Sequence, residues 1–269
     1  MGYYYLCSKY KDSDMKKRVN YEKVKELALQ GKRVREIAEE LGIYYTTVSY
    51  ILKSFNIKLS KAQFNEHVFD NIDTEEKAYW LGFIYADGCI SDNGSLEIGL
   101  IDKEHLEKFR KFLSSKNPIR TKHYKEYTSY SIMNKSRHLR DILMSYGCTP
   151  RKSLTLKFPS MRIFQDSSLV IPFIRGIFDG DGSVGIDKHK NCNKPYPRVN
   201  IVGTLDIITN CLKYANIENL VTKYGNNNYY ETKFTHSKAM QFLNTIYNNA
   251  HIYLDRKYNE YLFAVSLSN

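Results

Sequence analysis

Two short segments of this sequence resemble each other, and each ends in Asp-Gly. They are WLGFIYADG at residues 80–88 and IRGIFDGDG at residues 174–182. The apolar spacing predicts a helix through each segment, preceded in the first by a capping sequence at residues 73–76 and begun in the second with Pro172 in its first turn. Because glycine favours the left-handed conformation at a helix end, we expect Gly88 and Gly182 to terminate the helices in that conformation.

Small residues recur at matching positions in the two segments. Glycine or alanine occupies two positions four residues apart, and such positions share one face of a helix. These positions are Gly82 and Ala86 in the first segment and Gly176 and Gly180 in the second. Two faces of this kind can approach more closely than the usual ~8–10 Å between helix axes. The pattern therefore predicts a helix pair in which Asp87 and Asp181 lie side by side at one end.

A pair of aspartates at two helix C-termini is electrostatically unfavourable. The free carbonyls there disfavour a carboxylate by about 0.3–1 kcal/mol, and the two carboxylates also repel each other. A hard divalent cation reverses this balance, because carboxylate and carbonyl oxygens are its preferred ligands. Asp87 and Asp181 are therefore predicted metal ligands, with Mg2+ or another divalent cation such as Mn2+ as the cofactor, in the arrangement used for metal-assisted phosphodiester hydrolysis.

The charge balance indicates a polyanionic partner. Lys and Arg number 40 against 29 Asp and Glu, for a net charge of +11, which favours nucleic acid first and an acidic membrane second. No apolar run approaches the ~20 residues of a membrane span, and no signal-peptide pattern opens the chain. The five cysteines are odd in number and scattered, which indicates reduced thiols. We expect a cytoplasmic protein of a bacterial or phage-type context, or an organellar one, and not a secreted one.

The sequence that follows each Asp-Gly also repeats. Strand-like runs, a helix, further strand and a second helix follow in the same order in both copies. In the first copy these are Leu96–Ile101, a helix from Asp102, strands within 118–133 and a helix over Ser136–Tyr146. In the second copy these are Val184–Ile186, Val199–Val202, a helix from Thr204, strand within Leu220–Thr235 and a helix over Ser237–Tyr247. The two copies are therefore predicted to be αββαββα units, the second with a longer first hairpin through Cys192–Pro197.

The duplicated motifs and this order of elements resemble the LAGLIDADG homing endonucleases, in the single-chain form with two motifs. The resemblance covers residues from about 74 to the C-terminus. It implies an α+β fold in which the motif helices join two pseudo-symmetric half-domains, and two antiparallel sheets form a saddle over double-stranded DNA. It also implies a monomeric, site-specific DNA endonuclease, with Asp87 and Asp181 as its catalytic metal ligands.

The resemblance further implies a basic residue near each active centre. Lys152 and Lys257 occupy this place, in the Arg-Lys pairs that close the two repeats, and neutralisation of DNA phosphates is their alternative role. The sixth motif position is Tyr85 in one copy and Asp179 in the other, so Asp179 is not expected to be catalytic. DNA contacts are also expected from the predicted saddle strands. These are Arg120, Lys122, Arg198, Asn200 and Lys223.

Residues 20–58 are predicted to form three short helices. The first runs from Tyr21 and stops at Gly31, and the other two lie within residues 34–55 with Gly42 at the turn between them. This segment resembles the helix-turn-helix of repressors and resolvases. The resemblance implies a recognition helix whose side chains enter a major groove. The implied contacts are Tyr45, Thr46, Thr47, Ser49 and Tyr50. An ordinary three-helix bundle with a solvated polar face is the alternative.

The predicted domain organisation has three parts. Residues 1–58 form the helix-turn-helix domain, of which residues 1–20 remain unassigned, and residues 59–73 form a linker. Residues 74–269 form the endonuclease core, with repeat 1 at about 74–160 and repeat 2 at about 167–269.

Other functions agree with parts of the sequence. A transcription regulator of the same fold that does not cleave DNA is one alternative, although both acidic positions are intact. An RNA maturase, with intron RNA as a further partner, is another, and an intron-encoded or free-standing enzyme fits better than an intein. A calcium loop from Asp179 is excluded, because Val184 replaces its glycine and Lys190 replaces its bidentate glutamate. His189 and Cys192 have metal-ligand spacing, but no second ligand pair follows them.

Overall fold

The computed structural model describes residues 19–29, 32, 34–55, 57, 63–188, 195–225 and 227–267. By its contacts the chain divides into two units, residues 1–61 and 62–269. Each unit has its own hydrophobic core, so neither depends on the other to bury its apolar side chains.

Three short helices make up the described part of the first unit. They are α1 (Tyr21–Leu29), α2 (Val34–Leu41) and α3 (Tyr45–Ser54). Their apolar side chains meet in one cluster, which comprises Val24, Leu27, Ala28, Ile37, Ala38, Val48, Ile51 and Leu52. Gly42, between α2 and α3, has the left-handed backbone expected of the turn, with a φ of 61°. The helix stop predicted at Gly31 and the unassigned residues 1–18 lie outside the described residues.

Residues 63–73, within the predicted linker, pack as part of the second unit. Four apolar side chains of this segment are buried in its core: Phe64, Val68, Phe69 and Ile72. The N–H of Asn65 donates to the carbonyl of Leu113 at 2.8 Å, which ties the segment to the first repeat. These four residues recur at the spacing of one helix face, so a sequence signal for their burial was present, although polar residues between them favoured the linker interpretation. Residues 59–62 of the predicted linker lie outside the described residues.

The same order of elements occurs twice in the second unit. The first copy is α4 (Glu75–Asp87), β1 (Gly88–Ile90), β2 (Ser95–Leu100), α5 (Lys103–Phe112), β3 (Arg120–His123), β4 (Thr128–Lys135) and α6 (Arg137–Ser145). The second copy is α7 (Val170–Asp181), β5 (Gly182–Lys188), β6 (Pro195–Gly203), α8 (Leu205–Tyr214), β7 (Thr222–Lys223), β8 (Tyr230–Thr235) and α9 (His236–Tyr247). The predicted αββαββα order is confirmed for both copies.

Each copy builds one antiparallel four-stranded sheet, and the two sheets have equivalent strand orders. The orders are β1-β2-β4-β3 and β5-β6-β8-β7. Buried and accessible residues alternate along the central strands, as in β6, where Pro197, Val199 and Ile201 are buried. Helices cover the buried faces, with α5 against β4 and α9 against β6. The protein therefore has the predicted α+β fold, with two half-domains of matching topology and a small helical part before them.

The two copies differ in two places. Helix α10 (Asp255–Ser266) packs against α9 and β5, whereas the matching part of the first copy forms only a short 3-10 turn at Lys152–Leu154. The first hairpin is longer in the second copy, as predicted, because β5 has seven residues and β1 has three. Residues 189–194 of that hairpin, including His189 and Cys192, lie outside the described residues.

Two expectations from composition concern membranes and thiols. None of the helices in the described ranges is long and apolar enough to cross a membrane. Cys89, Cys148 and Cys211 carry free thiols. Cys7 and Cys192 fall outside the part of the chain that the structure describes.

Candidate active site

Glycines bring the motif helices α4 and α7 into backbone contact. A Cβ atom at Gly82 would lie 1.9 Å from the carbonyl oxygen of Phe173, and one at Gly176 would lie 2.0 Å from the carbonyl oxygen of Tyr79. Both distances are far below a van der Waals contact, so a larger residue at either position would force the helices apart. The predicted stripe of small residues is therefore the interface of the helix pair.

The close approach places the two motif aspartates at the same end of the pair. A Cβ atom at Gly180 would lie 2.3 Å from the Cβ of Ala86 and 3.2 Å from Oδ2 of Asp87. Asp181 directly follows Gly180 and ends α7, as Asp87 ends α4. The structure thus brings one carboxylate from each copy to a common position.

The surroundings of both carboxylates disfavour their negative charge. By surface area Asp181 is exposed and Asp87 is half-buried. The protein atoms around Asp181 nevertheless desolvate its carboxylate, and together with the charge of Asp87 they raise its pKa to about 6. Burial also raises the pKa of Asp87, although the positive charges of Lys257 and Lys152 oppose the shift. The lysines therefore compensate only part of the negative charge of the two carboxylates, and solvent can reach the pair.

Gly88 and Gly182 end the motif helices without the predicted left-handed conformation. Their φ angles are −75° and −88°, which is extended backbone. The prediction was wrong because each helix leads directly into a strand rather than into a turn. Glycine is required there for space, since a Cβ atom would lie 2.6 Å from the carbonyl oxygen of Ile84 at Gly88 and 2.7 Å from that of Phe178 at Gly182.

A buried lysine reaches the C-terminal end of each motif helix. Nζ of Lys152 donates to the carbonyl of Ala86 in α4 at 3.2 Å. Nζ of Lys257 donates to the carbonyls of Phe178 and Asp179 in α7, both at 2.7 Å. These carbonyls belong to the last helical turns, where the partial negative charge of a helix accumulates. Each lysine predicted from the sequence therefore lies at the helix end that carries the aspartate of its own copy.

The two lysines are held differently. Lys257 also donates to the carbonyl of Gly182, and the carbonyl of Gly180 lies 3.5 Å from Nζ, so four carbonyls surround an ammonium group that has three donors. Its Nζ lies 5.3 Å from the ring centre of Phe178. Burial lowers the pKa of Lys257 to about 8, although the charge of Asp179 opposes the shift. The two centres are thus unequal despite their equivalent sequence motifs.

In both copies, the residue at the sixth motif position is buried in the protein interior. Asp179 is fully buried and accepts hydrogen bonds from the hydroxyls of Tyr247 at 2.5 Å and Tyr79 at 2.8 Å, and from the N–H of Leu254 at 2.7 Å. Burial raises its pKa despite these donors. Tyr85, its counterpart, is buried as well. No sequence spacing links the elements that supply these partners, so this network had no signal in the sequence.

Four of the five predicted strand contacts lie on the open faces of the sheets. Arg120 and Lys122 belong to β3, in which every residue is exposed. Arg198 and Asn200 alternate with the buried residues of β6 and therefore share its accessible face. Arg198 also forms an ion pair with Asp187 of β5, with 3.0 Å between Nε and Oδ2.

The fifth strand contact, Lys223, is on the other side of its sheet. Lys223 pairs with Tyr230 of β8, which lies on the same face as the buried Phe234. Lys223 is nevertheless exposed in the two-residue edge strand β7, and its contact with DNA remains a prediction. The exposed Lys233, directly opposite Asn200, contributes a positive charge to the open face instead.

In the first unit, the five predicted contacts lie on α3. Tyr45 is 59% and Tyr50 68% exposed, whereas Val48 of the same helix is fully buried. The other predicted contacts are at least partly exposed: Thr46, Thr47 and Ser49. The hydroxyl of Ser49 donates to the carbonyl of Tyr45 at 3.0 Å, which uses its one donor within the helix. Helix α3 therefore presents an aromatic and hydroxyl-bearing surface to solvent.

Sequence comparison gives one curated relative. No protein-family model matches the chain. An uncharacterised protein of Methanocaldococcus jannaschii is 28% identical over 163 residues, which make up 58% of this chain and 60% of that protein. The chain thus spans about three fifths of the length of that relative.

Solved structures similar to this chain include DNA-bound LAGLIDADG endonucleases. The I-LtrWI LAGLIDADG homing endonuclease bound to target DNA is 13% identical, with a TM-score of 0.49 over 76% of this chain and 91% of that chain. LAGLIDADG meganuclease I-AabMI bound to uncleaved DNA is 13% identical, with a TM-score of 0.47 over 71% and 89%. Meganuclease I-SmaMI bound to uncleaveable DNA is 13% identical, with a TM-score of 0.45 over 73% and 92%.

Proposed function

We propose that this chain is a site-specific homing endonuclease of the LAGLIDADG type, which hydrolyses both strands of double-stranded DNA with divalent metal ions. One observation carries the proposal: two helices in backbone contact bring Asp87 and Asp181, one from each sequence repeat, to the same end. A duplicated centre suits a substrate with two strands, because each strand presents one scissile phosphate. Since one chain contains both copies, we propose that the enzyme acts as a monomer.

The residues at this end suit a hard divalent cation such as Mg2+ or Mn2+. Asp87 and Asp181 offer carboxylate oxygens, the ligand type that such ions prefer. The raised pKa of each carboxyl group means that the protein alone does not compensate its charge. In this proposal Asp87 and Asp181 hold the metal, which when bound supplies Lewis-acid stabilisation of the charge that develops on the scissile phosphate.

Lys152 and Lys257 support the carboxylates in this proposal. Burial raises the pKa of both carboxyl groups, and the charge of Asp87 raises that of Asp181 further; the positive charges of the two lysines reduce these rises. They therefore favour the ionised carboxylates that a metal requires. A direct contact between Lys257 and a phosphate would require the ammonium group to give up a hydrogen bond to one of its carbonyl partners.

DNA binding is assigned to the open faces of the two sheets and to the exposed surface of α3. Arg120, Lys122, Arg198 and Lys233 supply positive charge on the sheets, and the whole chain carries a net charge of +11. Asn200 adds an amide that can read base edges. The exposed side chains of α3 would extend the recognised site.

Replacement of the aspartates tests the proposal. The target is first selected by cleavage of a randomised DNA library in Mg2+, and Asp87→Asn and Asp181→Asn are then compared with the original protein. We expect both variants to lose double-strand cleavage and to bind the selected DNA as before, because the amide keeps the shape but loses the charge. Asp141→Asn, on the exposed surface of α6, should cleave normally and serves as the matched control.

The outcomes separate the alternatives. Near-normal cleavage of both strands by either variant would show that the active centre is elsewhere. Tight binding of specific duplex DNA without cleavage by the original protein would favour a transcription regulator of this fold. Preferential binding of a folded intron RNA would favour a maturase.

A further inference from the structure

His67, Asp70 and His138 form a cluster of metal-ligand types outside the proposed active centre. Their ligating atoms, one from each residue, all lie within 4.8 Å of one another. Nδ1 of His67 is 2.9 Å from Oδ2 of Asp70, and Nε2 of His138 is 2.6 Å from Oδ1 of Asp70. The two imidazole rings, with centroids 4.2 Å apart, therefore converge on one carboxylate.

The backbone around the cluster is fixed on both sides. Between His67 and Asp70, the side chain of Phe69 is fully buried, and the N–H of Asp70 donates to the carbonyl of His67 at 3.1 Å. His138 belongs to the first turn of α6. Tyr146, the C-cap of that helix, donates to the carbonyls of Phe69 at 2.9 Å and Asp70 at 3.2 Å. Ligands on two chain segments are thus held in place before any ion binds.

The donor set and its spacing suit zinc. Zn–N bonds of about 2.0–2.1 Å and Zn–O bonds of about 2.0–2.2 Å imply donor atoms roughly 3.3–3.5 Å apart in a tetrahedral site. The two hydrogen-bonded pairs are closer than this, and all three donor atoms lie within 4.8 Å of one another, so the tetrahedral spacing falls within the range of their present separations. The side chains are 63%, 37% and 37% exposed, which leaves room for water as a fourth ligand.

We propose that His67, Asp70 and His138 bind one Zn2+ ion that ties residues 67–70 to α6. Two imidazoles and one carboxylate favour Zn2+ over Mg2+, which prefers oxygen ligands throughout. Each imidazole binds as the neutral ring through the nitrogen that faces Asp70 and carries its proton on the other nitrogen. The ion fastens the segment that precedes α4 onto the first repeat, and this structural role is independent of the nuclease proposal.

Metal titration of the full-length protein tests the site. The Asp87→Asn, Asp181→Asn double variant is used so that the proposed active centre does not contribute, and the protein is stripped with EDTA. Calorimetric titration with Zn2+ should show one site per chain with a Kd below about 1 μM. Thermal unfolding should move to higher temperature with Zn2+ and not with Mg2+ at the same concentration.

Ligand variants decide where the ion binds. In the same background, His67→Gln and His138→Gln should weaken Zn2+ binding by more than about 100-fold, because loss of an outer-shell partner alone costs about 10–100-fold. His123→Gln is the matched control, an exposed histidine on β3 that should leave the titration unchanged. Zinc binding that persists in both ligand variants, or no stoichiometric binding at all, would overturn the proposal.

X-ray absorption at the zinc edge covers the case in which a ligand variant does not fold. The zinc-loaded protein with its histidines intact should show only nitrogen and oxygen neighbours, with two imidazoles. Sulfur neighbours would place the ion on cysteine thiols and would exclude the proposed site.

Discussion

The groups at the ends of α4 and α7 each carry a charge that their surroundings disfavour. Burial raises the pKa of Asp181 to about 6 and lowers that of Lys257 to about 8. The negative charge of Asp181 and the positive charge of Lys257 stabilise each other. Lys257 also donates to carbonyls at the end of α7. A bound cation would place a further positive charge beside the two carboxylates. Removing any one of these charges should therefore shift the pKa of the remaining groups.

Replacement of Lys257 by Met should reduce cleavage more than replacement of Lys152 by Met. Lys257 is held among four carbonyls, whereas Lys152 donates to the carbonyl of Ala86 at 3.2 Å. For Lys257→Met we expect a loss of about 10²–10³-fold, as for the removal of one electrostatic stabiliser. The measurement is the single-turnover rate on each strand at saturating enzyme. Reduced DNA affinity with unchanged rates would instead make both lysines phosphate contacts.

An ion pair between the buried Arg175 and the half-buried Glu75 joins the start of α4 to the middle of α7. Arg175 is 3% exposed and donates to Glu75 at 2.6 Å and to the carbonyl of Ile252 at 3.0 Å. Burial raises the pKa of Glu75, but the bonds from Arg175 and His251 outweigh it and hold the pKa below the ordinary value of 4.5. A depressed carboxyl pKa contributes stability that is present above the ordinary pKa and is lost as the pH falls through the folded-state value.

Glu75→Gln should lower the free energy of unfolding by about 3 kcal/mol at pH 7, because Arg175 would be left buried without a charged partner. The difference from the original protein should shrink as the pH falls below 4.5 and Glu75 becomes protonated. Urea unfolding at neutral and acid pH measures both effects. Glu76→Gln, the exposed neighbour on the same helix, should change stability by less than about 0.5 kcal/mol. A difference that does not vary with pH would contradict this account of Glu75.

Among the elements, those with a regular period or an internal repeat were predictable. The two repeats can be aligned with each other, and this alignment reveals the shared small residues of the motif helices and the matching aspartates, Asp87 and Asp181. The burial of Phe64, Val68, Phe69 and Ile72 had only a weak signal, a helical spacing over eight residues with no matching segment in the second repeat. The network of Asp179 had none, because its partners come from three separate parts of the chain. Contacts that depend on several elements converging require the fold itself.

The contact between α4 and α7 should tolerate no added methyl group. Gly176→Ala would place a Cβ atom 2.0 Å from the carbonyl oxygen of Tyr79, and a backbone atom cannot move aside as a side chain can. We expect a loss of at least about 1–3 kcal/mol in stability, the range for overpacking, and impaired cleavage of both strands. Gly99→Ala is the control, because its Cβ would meet nothing closer than 3.8 Å. Normal stability of Gly176→Ala in urea unfolding would show that the helices are not in backbone contact.

At the scale of the whole molecule, two units with separate cores are joined by a short segment. Ile57 packs against the core of the first unit, and Phe64 is the first residue along the chain in the core of the second unit. At about 3.6 Å per residue, the chain between them spans at most about 25 Å. Because residues 63–73 belong to the second unit, fewer residues than the predicted 59–73 are left to connect the two units.

Deletion of residues 1–61 should weaken DNA binding and shorten the footprint on one flank, while the cut positions stay the same. The second unit keeps its own core and both aspartates, so it should fold and cleave. A tethered second reader raises affinity through effective concentration, and its loss should weaken binding by about 10²-fold or more. The lost protection should lie within about one helical turn, ~34 Å, of the remaining footprint, given the short connection.

Point variants distinguish loss of DNA contacts from loss of the unit itself. In the full-length chain, Tyr45→Ala with Tyr50→Ala should reproduce the shortened footprint, because both side chains are exposed on α3. Tyr21→Ala, also exposed but on α1, should leave the footprint unchanged. Footprinting and binding titrations at fixed salt compare the three proteins, since phosphate contacts make affinity depend on salt. An unchanged footprint and affinity after the deletion would mean that the helices of the first unit form a bundle with a merely solvated surface.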